Sequence, residues 1–552
     1  MEATARHRGR SFGSMIDRPS GMPADRDPLA RAFLGLIALA TMVRAIVSVV
    51  VRPQMYSDSA FGFRVWDSMR QGGGFNHLLN ADDADIARDI AYFKAVWTPG
   101  QYVFPGLFEW LGTDLGIAIA IVVTLCSALG LWGWYALYRT FGFSPRTSAV
   151  ALLVVAFGRH FGLPFGIYNG GEVLLFAGIP WAFLLVWRLR DLPWRSVVPL
   201  VAAAGAIAFL KLSGIIFFGA AVSAIVPRRG QSLLGRETLH RAIVAAVVLG
   251  VSALLLQWAW VSRWTAAQQP LSVDWSQLGP AVAYAISNTW TCIFGFGSLL
   301  KYLFFAPGRP LLTSDLPLNL ALVIPALATG LFMWLQLRDR YADYARFTML
   351  ATAAVAVVFV LLLLRGSVLR MEPSMDERHF RPLALLLTVG LVEAFLGARS
   401  IAVRGLFFAL AGLAIAYGLG SSAHHLRTNL ADPLGSRGVR LHNLPPAALA
   451  FLRSIDRPDA DGDRPLILVP NPEVALEVRN ARVLLTHADF ETAESLAAQP
   501  RRGRVRRLYV LMDRAMERNG KAAILLKSLV DYPSDSWTRT EVGNFVVYSS
   551  TP

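Results

Sequence analysis

The chain has 552 residues, 54% of them hydrophobic and only 16% charged, and a mean hydropathy of +0.45. A soluble domain is about 45–50% apolar and about 25% charged, so an ordinary soluble protein is excluded and a multispanning membrane protein with some polar mass is indicated. The net charge of +15 does not argue for a nucleic-acid partner, because the arginines fall in short clusters between apolar segments, as the positive-inside rule requires.

Residues 1–29 are polar and basic (Arg6, His7, Arg8, Arg10, Arg18, Arg26). They read as a disordered cytoplasmic arm without a cleavable signal, followed by an uncleaved anchor at 30–51. Arg44 interrupts that span and must face protein or water. Residues 53–114 then form the first outer loop. Its first part, MYSDSAFGFRVWDSMRQGGG (Met55–Gly74), predicts an amphipathic helix stopped by Gly72, Gly73 and Gly74. An acidic piece follows (Asp82, Asp83, Asp85, Asp89). WTPGQYVFPGLFEWLG (Trp97–Gly112) is too short to span and is broken by Pro99 and Pro105. It reads as a helix lying in the interface, anchored by Trp97, Tyr102 and Trp110.

Further spans are expected at 115–137, 147–157, 173–187, 197–210, 213–226, 242–261, 316–337, 347–364, 382–396 and 401–419. Most inner turns carry arginines, among them Arg139 and Arg146, Arg188 and Arg190, Arg228 and Arg236, Arg338 and Arg340, and Arg399 and Arg404. The N-terminus is therefore placed inside and the C-terminus outside. The loop 158–172, the turn at Lys211, the segment 263–314 and the loop 365–381 are placed outside. The last is basic against the rule, which suits an anion site. The two cysteines, Cys126 and Cys292, cannot form a disulfide framework.

After Gly420 the composition turns polar. Strands are expected at 466–470, 481–485, 507–512 and 544–550, with helices at 491–498 and 520–530. That makes 421–552 a small α/β domain outside the membrane, with a structural or acceptor-orienting role and no nucleotide-binding glycine loop. The fold class is thus mainly α, a polytopic helical membrane domain over 30–420 with a C-terminal α/β domain.

The outer loops hold the groups from which a site could be built. Asp58 fits two roles, a general base or, with Ser57, an N-cap of the following helix. Asp67 lies near the same helix face, as a second acid or as an arginine partner. Asp82, Asp83 and Asp85 leave a divalent metal ion open, although a solvated acidic loop explains them equally. Lys211 suits a phosphate contact or a snorkelling side chain. Arg378, His379 and Arg381 form a second outer cationic cluster, unless they pair with Asp376 and Glu377. Arg159, His160 and Glu172 are further candidates.

This layout resembles the GT-C membrane glycosyltransferases, close to the bacterial aminoarabinose transferases and protein O-mannosyltransferases. Asp58 in YSDSAFGF stands where that family has its acid after span one. Residues 59–70 and WTPGQYVFPGLFEW are similar to its two interfacial helices, although the family's Lys-Pro-Pro-Leu is replaced by Thr98, Pro99 and Gly100. FLKLSG (209–214) is similar to its Thr-Lys-Gly turn, with Leu210 for the threonine, and ERHFRP (377–382) to its late-loop Arg-Tyr/His-x-x-Pro element. The resemblance implies an inverting transferase in the plasma membrane, using a polyprenyl-phosphate-linked sugar on the outer face. Asp58 would be its base, and Lys211, Arg378, His379 and Arg381 its donor-phosphate contacts. The acceptor, whether glycan, lipid or protein, is left open, and membrane lipids are the surrounding partners. A transporter or flippase of lipid-linked sugars, or a non-enzymatic component of envelope polysaccharide assembly, is the alternative. The absence of an internal repeat, and polar groups gathered at outer helix ends instead of the midplane, weigh against transport.

Overall fold

The computed structural model describes residues 27–94, 98–228, 231–232, 234–263, 275–304, 315–368, 377–442, 444–486 and 493–550. The basic arm at 1–26, the Trp97 anchor, Asp376 and the start of the helix expected at 491–498 lie outside the described residues. Asp27 opens the first helix, α1 (Pro28–Val51), by accepting from the Leu29 and Ala30 amides ahead of Pro28 at its first position. A two-residue strand β1 (Gln54–Met55) leads into α2 (Ser57–Arg70), the first of the two helices expected in the outer loop. The second, α3 (Gly100–Trp110), keeps Pro105 inside it.

All eleven expected apolar segments are helical. They are α1, α4 (Leu115–Thr140), α5 (Pro145–Phe157), α7 (Gly171–Arg188), α8 (Val197–Leu210), α9 (Gly214–Ala224), α10 (Arg236–Ala259), α13 (Asp315–Leu337), α14 (Ala342–Val368), α15 (Arg381–Leu396) and α16 (Ile401–Ala431). Among the described residues eight helices are long and apolar enough to cross a membrane. A ninth span arises if α5 is joined to α6 (Arg159–Gly166) across a 45° bend. That corrects the expected loop at 158–172, where Gly158 is extended and the chain resumes as helix. The short α8 and α9 meet at Lys211. α4 and α7 pack closely because Gly130 and Gly133 present no side chain: a Cβ at Gly130 would stand 2.3 Å from Phe176 Cε1, and one at Gly133 2.8 Å from Pro180 Cγ.

The segment 263–314 holds α11 (Leu278–Phe294) and α12 (Gly297–Phe304). Ala281, Tyr284, Ala285 and Cys292 of α11 are buried, so it packs inside the bundle. The acidic loop also departs from expectation. It is an antiparallel hairpin, β2 (His77–Ala81) against β3 (Asp89–Phe93), in register Leu79↔Ala91.

α16 has 31 residues, about 46 Å at 1.5 Å per residue, against a hydrocarbon core of about 30 Å. It therefore continues past Gly420, where the composition changes. Near its end Asn429 donates to the carbonyls of Arg52 and Gly166, at 3.2 and 2.9 Å, tying it to the ends of α1 and α6. Beyond it comes the helix α17 (Pro446–Ile455) and a five-stranded sheet ordered β6-β5-β7-β9-β8. β5 (Leu466–Val469) is parallel to β6 (Arg482–Leu485) and β7 (Leu508–Asp513), and β9 (Phe545–Ser550) is antiparallel to β7. The four expected strands are present. β8 (Thr538–Val542) had no apolar run to betray it and forms an exposed edge. The short helices Ala493–Ala497 and Lys521–Ser528 pack beside the sheet.

Arg437 joins this C-terminal part to the loop that carries α2 and α3. Its side chain is fully buried and bonds Asp67 of α2 at 2.8 Å and Glu109 of α3 at 2.6 Å. Arg482 meets Asp89 at 2.8 Å and Arg501 meets Asp83 at 3.3 Å, so the sheet also holds the hairpin.

Candidate active site

Backbone pairing of two short strands and one side-chain hydrogen bond assemble a cavity at one end of the bundle. β1 pairs in parallel with β4 (Ile167–Tyr168), and the Tyr56 amide donates to the Tyr168 carbonyl at 3.0 Å. The start of α2 thereby lies beside the turn Asn169–Gly170 that opens α7. Thr98 Oγ1 donates to the Leu210 carbonyl at 3.1 Å, which clamps the start of α3 on the end of α8. Gly170 takes φ +61°, a left-handed conformation suited to glycine, and a Cβ there would stand 2.4 Å from Gln101 Oε1. Gly171 lets the Lys211 side chain cross it, since a Cβ would lie 3.0 Å from Lys211 Cγ.

The cavity holds about 560 Å³ and is lined by Tyr56, Asp58, Gln101, Asn169, Glu172, Lys211, Arg378 and His379 among others. The three segments carrying Asp58, Lys211 and Arg378, far apart in sequence, meet on its wall. Glu172, in the first turn of α7, stands between the two cations: Lys211 Nζ is 2.6 Å and Arg378 Nε 3.8 Å from its Oε1. The Arg378 guanidinium also lies over the Tyr56 ring, 5.9 Å from its centroid. Asp58 is not a cap. The N-cap is Tyr56, whose side chain makes no capping hydrogen bond, and the Ser57 hydroxyl reaches Glu473 at 3.1 Å. The Asp58 carboxylate is exposed to the cavity, yet the protein around it still strips enough water to push it above the usual carboxylate range. Arg378 opposes that shift, Glu172 adds to it and Lys211 opposes it. Solvent in the cavity screens these charges, so the shift is modest in energy.

Next to this cavity an apolar groove of about 200 Å³ runs between α8 and α10, and the two share Thr98, Leu212 and Leu256 on their walls. Its other walls include Ala204, Ala208, Leu255 and Trp260. A charged cavity beside an apolar groove suits a molecule with an anionic head and a hydrocarbon tail.

The remaining candidates sit elsewhere. Arg381 is buried beneath the cavity with its guanidinium over Phe176, 4.9 Å from the ring centroid. Arg159 and His160 lie at the bend between α5 and α6 and not in an outer loop. Arg159 bonds Ser298 at 2.8 Å and His160 bonds Glu377 at 3.1 Å. Glu377 in turn accepts from the Gly297 amide at 2.7 Å, so it is engaged by His160 and Gly297 instead of by the neighbouring arginines. Asp67 is taken by Arg437, not by Arg64 or Arg70. Asp82 holds Arg88 at 2.5 Å, Asp83 holds Arg501, and Asp85 accepts from the Ala87 amide. These three carboxylates do not converge, and among the described residues no three metal-ligating side chains gather. Sequence reasoning missed Gln101 and Asn169, single amides in apolar surroundings that carry no motif.

No protein-family model and no curated protein matches the chain. Among solved structures it is similar to ArnT from Cupriavidus metallidurans in the apo state, and to the same protein bound to undecaprenyl phosphate. Each shares 14% identity and a TM-score of 0.41 over 94% of this chain and 98% of that one. It is also similar to the arabinofuranosyltransferase AftD from Mycobacteria, at 14% identity and a TM-score of 0.42, over 94% of this chain and 41% of that one.

Proposed function

We propose that the protein is a membrane glycosyltransferase that moves a sugar from a polyprenyl-phosphate donor to an acceptor at the outer face of the plasma membrane. The observation that carries this reading is the meeting of Asp58 with Lys211 and Arg378 in one cavity that lies beside an apolar groove. The groove would take the polyprenyl chain. Lys211 and Arg378 would face the phosphate and stabilise the charge that grows on it as the bond to the sugar breaks. Asp58 would accept the proton of the acceptor hydroxyl or amine while that group attacks the anomeric carbon. One carbon–oxygen or carbon–nitrogen bond forms, the bond to the phosphate oxygen breaks, and configuration inverts. The proton ends on Asp58 and the electron pair leaves with the lipid phosphate. Glu172 holds the two cations together before the donor arrives. Its negative charge would compete with the phosphate, so it must share or yield Lys211 on binding.

The test is reconstitution in nanodiscs with undecaprenyl-phosphate-linked sugars and an envelope fraction as acceptor, following release of undecaprenyl phosphate. Donor consumption that is abolished by Asp58→Asn is expected. Movement of intact lipid-linked sugar across proteoliposomes without cleavage would instead favour the transporter reading.

A further inference from the structure

Resting on the reading of this cavity as a sugar-transfer site, we infer that Gln101 and Asn169 form an amide subsite that holds hydroxyl groups of the donor sugar. Gln101 is 5% exposed and Asn169 9% exposed, and both line the cavity beside Asp58. Gln101 Nε2 and Asn169 Oδ1 are buried without a hydrogen-bond partner, and so is the hydroxyl of Ser59, one residue after Asp58. A buried polar atom left unpaired costs about 1–3 kcal/mol, and most such atoms in folded proteins are paired. Three in one place are therefore not there for stability.

Their chemistry names the ligand. Gln101 Nε2 is a donor and Asn169 Oδ1 an acceptor, and a sugar hydroxyl both accepts and donates. Neither group carries charge, so the subsite does not duplicate the cationic pair. Its place names the source. Gln101 lies in the first turn of α3, three residues after the Thr98 clamp on Leu210, the neighbour of Lys211. Asn169 lies three residues before Glu172, the partner of Lys211. A sugar linked through one oxygen to a phosphate held by Lys211 has its ring within a few bonds of that point. Gly170 keeps the arrangement tight, since it packs against both the Gln101 amide and the Ser59 hydroxyl.

The test compares binding of undecaprenyl phosphate and of undecaprenyl-phosphate-linked hexoses and pentoses to the full-length protein in detergent, by native mass spectrometry. Wild type is expected to prefer at least one sugar-bearing lipid over the bare lipid. Gln101→Met and Asn169→Leu, each close in size to the original, are expected to reduce that preference about tenfold while bare-lipid affinity stays at the wild-type level. Retained bare-lipid affinity also reports a folded protein. Gln101→Asn, which keeps the amide but withdraws it, serves where the first substitution prevents folding. Variants that keep the full preference overturn the amide subsite alone. Wild-type protein that binds neither lipid overturns the transfer reading and this inference with it.

Discussion

Asp58 faces the cavity and burial pushes its carboxyl above the ordinary value of 3.8, which would set the working range of the proposed base above that value. On the proposed mechanism, removing it by Asp58→Asn lowers kcat by about 10²–10⁴-fold, and the acid limb of the wild-type kcat/KM profile lies above that value. The same shift makes a stability prediction. A carboxyl raised in the folded state adds stability that is complete below its unfolded value and is lost as pH rises through the folded value. The asparagine variant does not lose it. The melting temperature of Asp58→Asn should therefore gain on wild type as pH rises to neutrality, and a gap that shrinks with pH would refute the environment described. Glu172 makes a second case. Glu172→Gln removes the carboxylate that engages Lys211 at 2.6 Å. Tighter binding of bare undecaprenyl phosphate than in wild type is expected, read by the same native mass spectrometry, whereas Lys211→Ala and Arg378→Ala weaken it.

At the level of elements, the helices α2 and α3 are fixed by a cation from a distant segment. Arg437 is fully buried between Asp67 of α2 and Glu109 of α3. Breaking a buried pair by removing one partner costs about 3–5 kcal/mol, because two carboxylates are left facing each other. Arg437→Met should lower the melting temperature clearly in detergent, and an unchanged value would show that these helices stand without it. The two helices themselves were legible, since an amphipathic run ended by glycines and an aromatic run too short to span both have a periodic or length signature. So were the apolar spans and four strands of the sheet. The hairpin β2/β3 was not, because two of its acids, Asp83 and Asp89, pair with the distant Arg501 and Arg482, and long-range pairing leaves no local pattern. α6 was hidden by its glycines and Pro164, which read as loop. Of the site, Asp58, Lys211 and Arg378 could be found because charges beside apolar spans stand out. Glu172 ranked lower there, although it is the group on which both cations close. Gln101 and Asn169 gave no signal, since a neutral amide in a helix start or turn has many ordinary uses.

At the scale of the whole molecule, the cavity, the end of α16 and the C-terminal sheet occupy one end of the bundle, and the arginine-marked turns the other. At that second end Glu393 binds Arg340 at 3.2 Å, Tyr341 at 3.0 Å and Thr147 at 2.7 Å, which locks α5, α14 and α15 beside the Arg338–Arg340 turn. Positive charge near the ends of spans sets orientation, and the outer-face transfer proposed above requires the Arg338–Arg340 end in the cytoplasm and the cavity outside. Two side chains at opposite ends make this measurable. Asp461, 70% exposed in the C-terminal part, and Asp339, 87% exposed beside Arg338 and Arg340, are both open to reagents. In a background with Cys126 and Cys292 replaced, Asp461→Cys should react with a membrane-impermeant maleimide on spheroplasts, and Asp339→Cys only after the membrane is opened. The reverse pattern would put the cavity on the cytoplasmic side. Asp58 would then face cytoplasmic acceptors, and the outer-face transfer proposed above would fall even if the chemistry at the site were right.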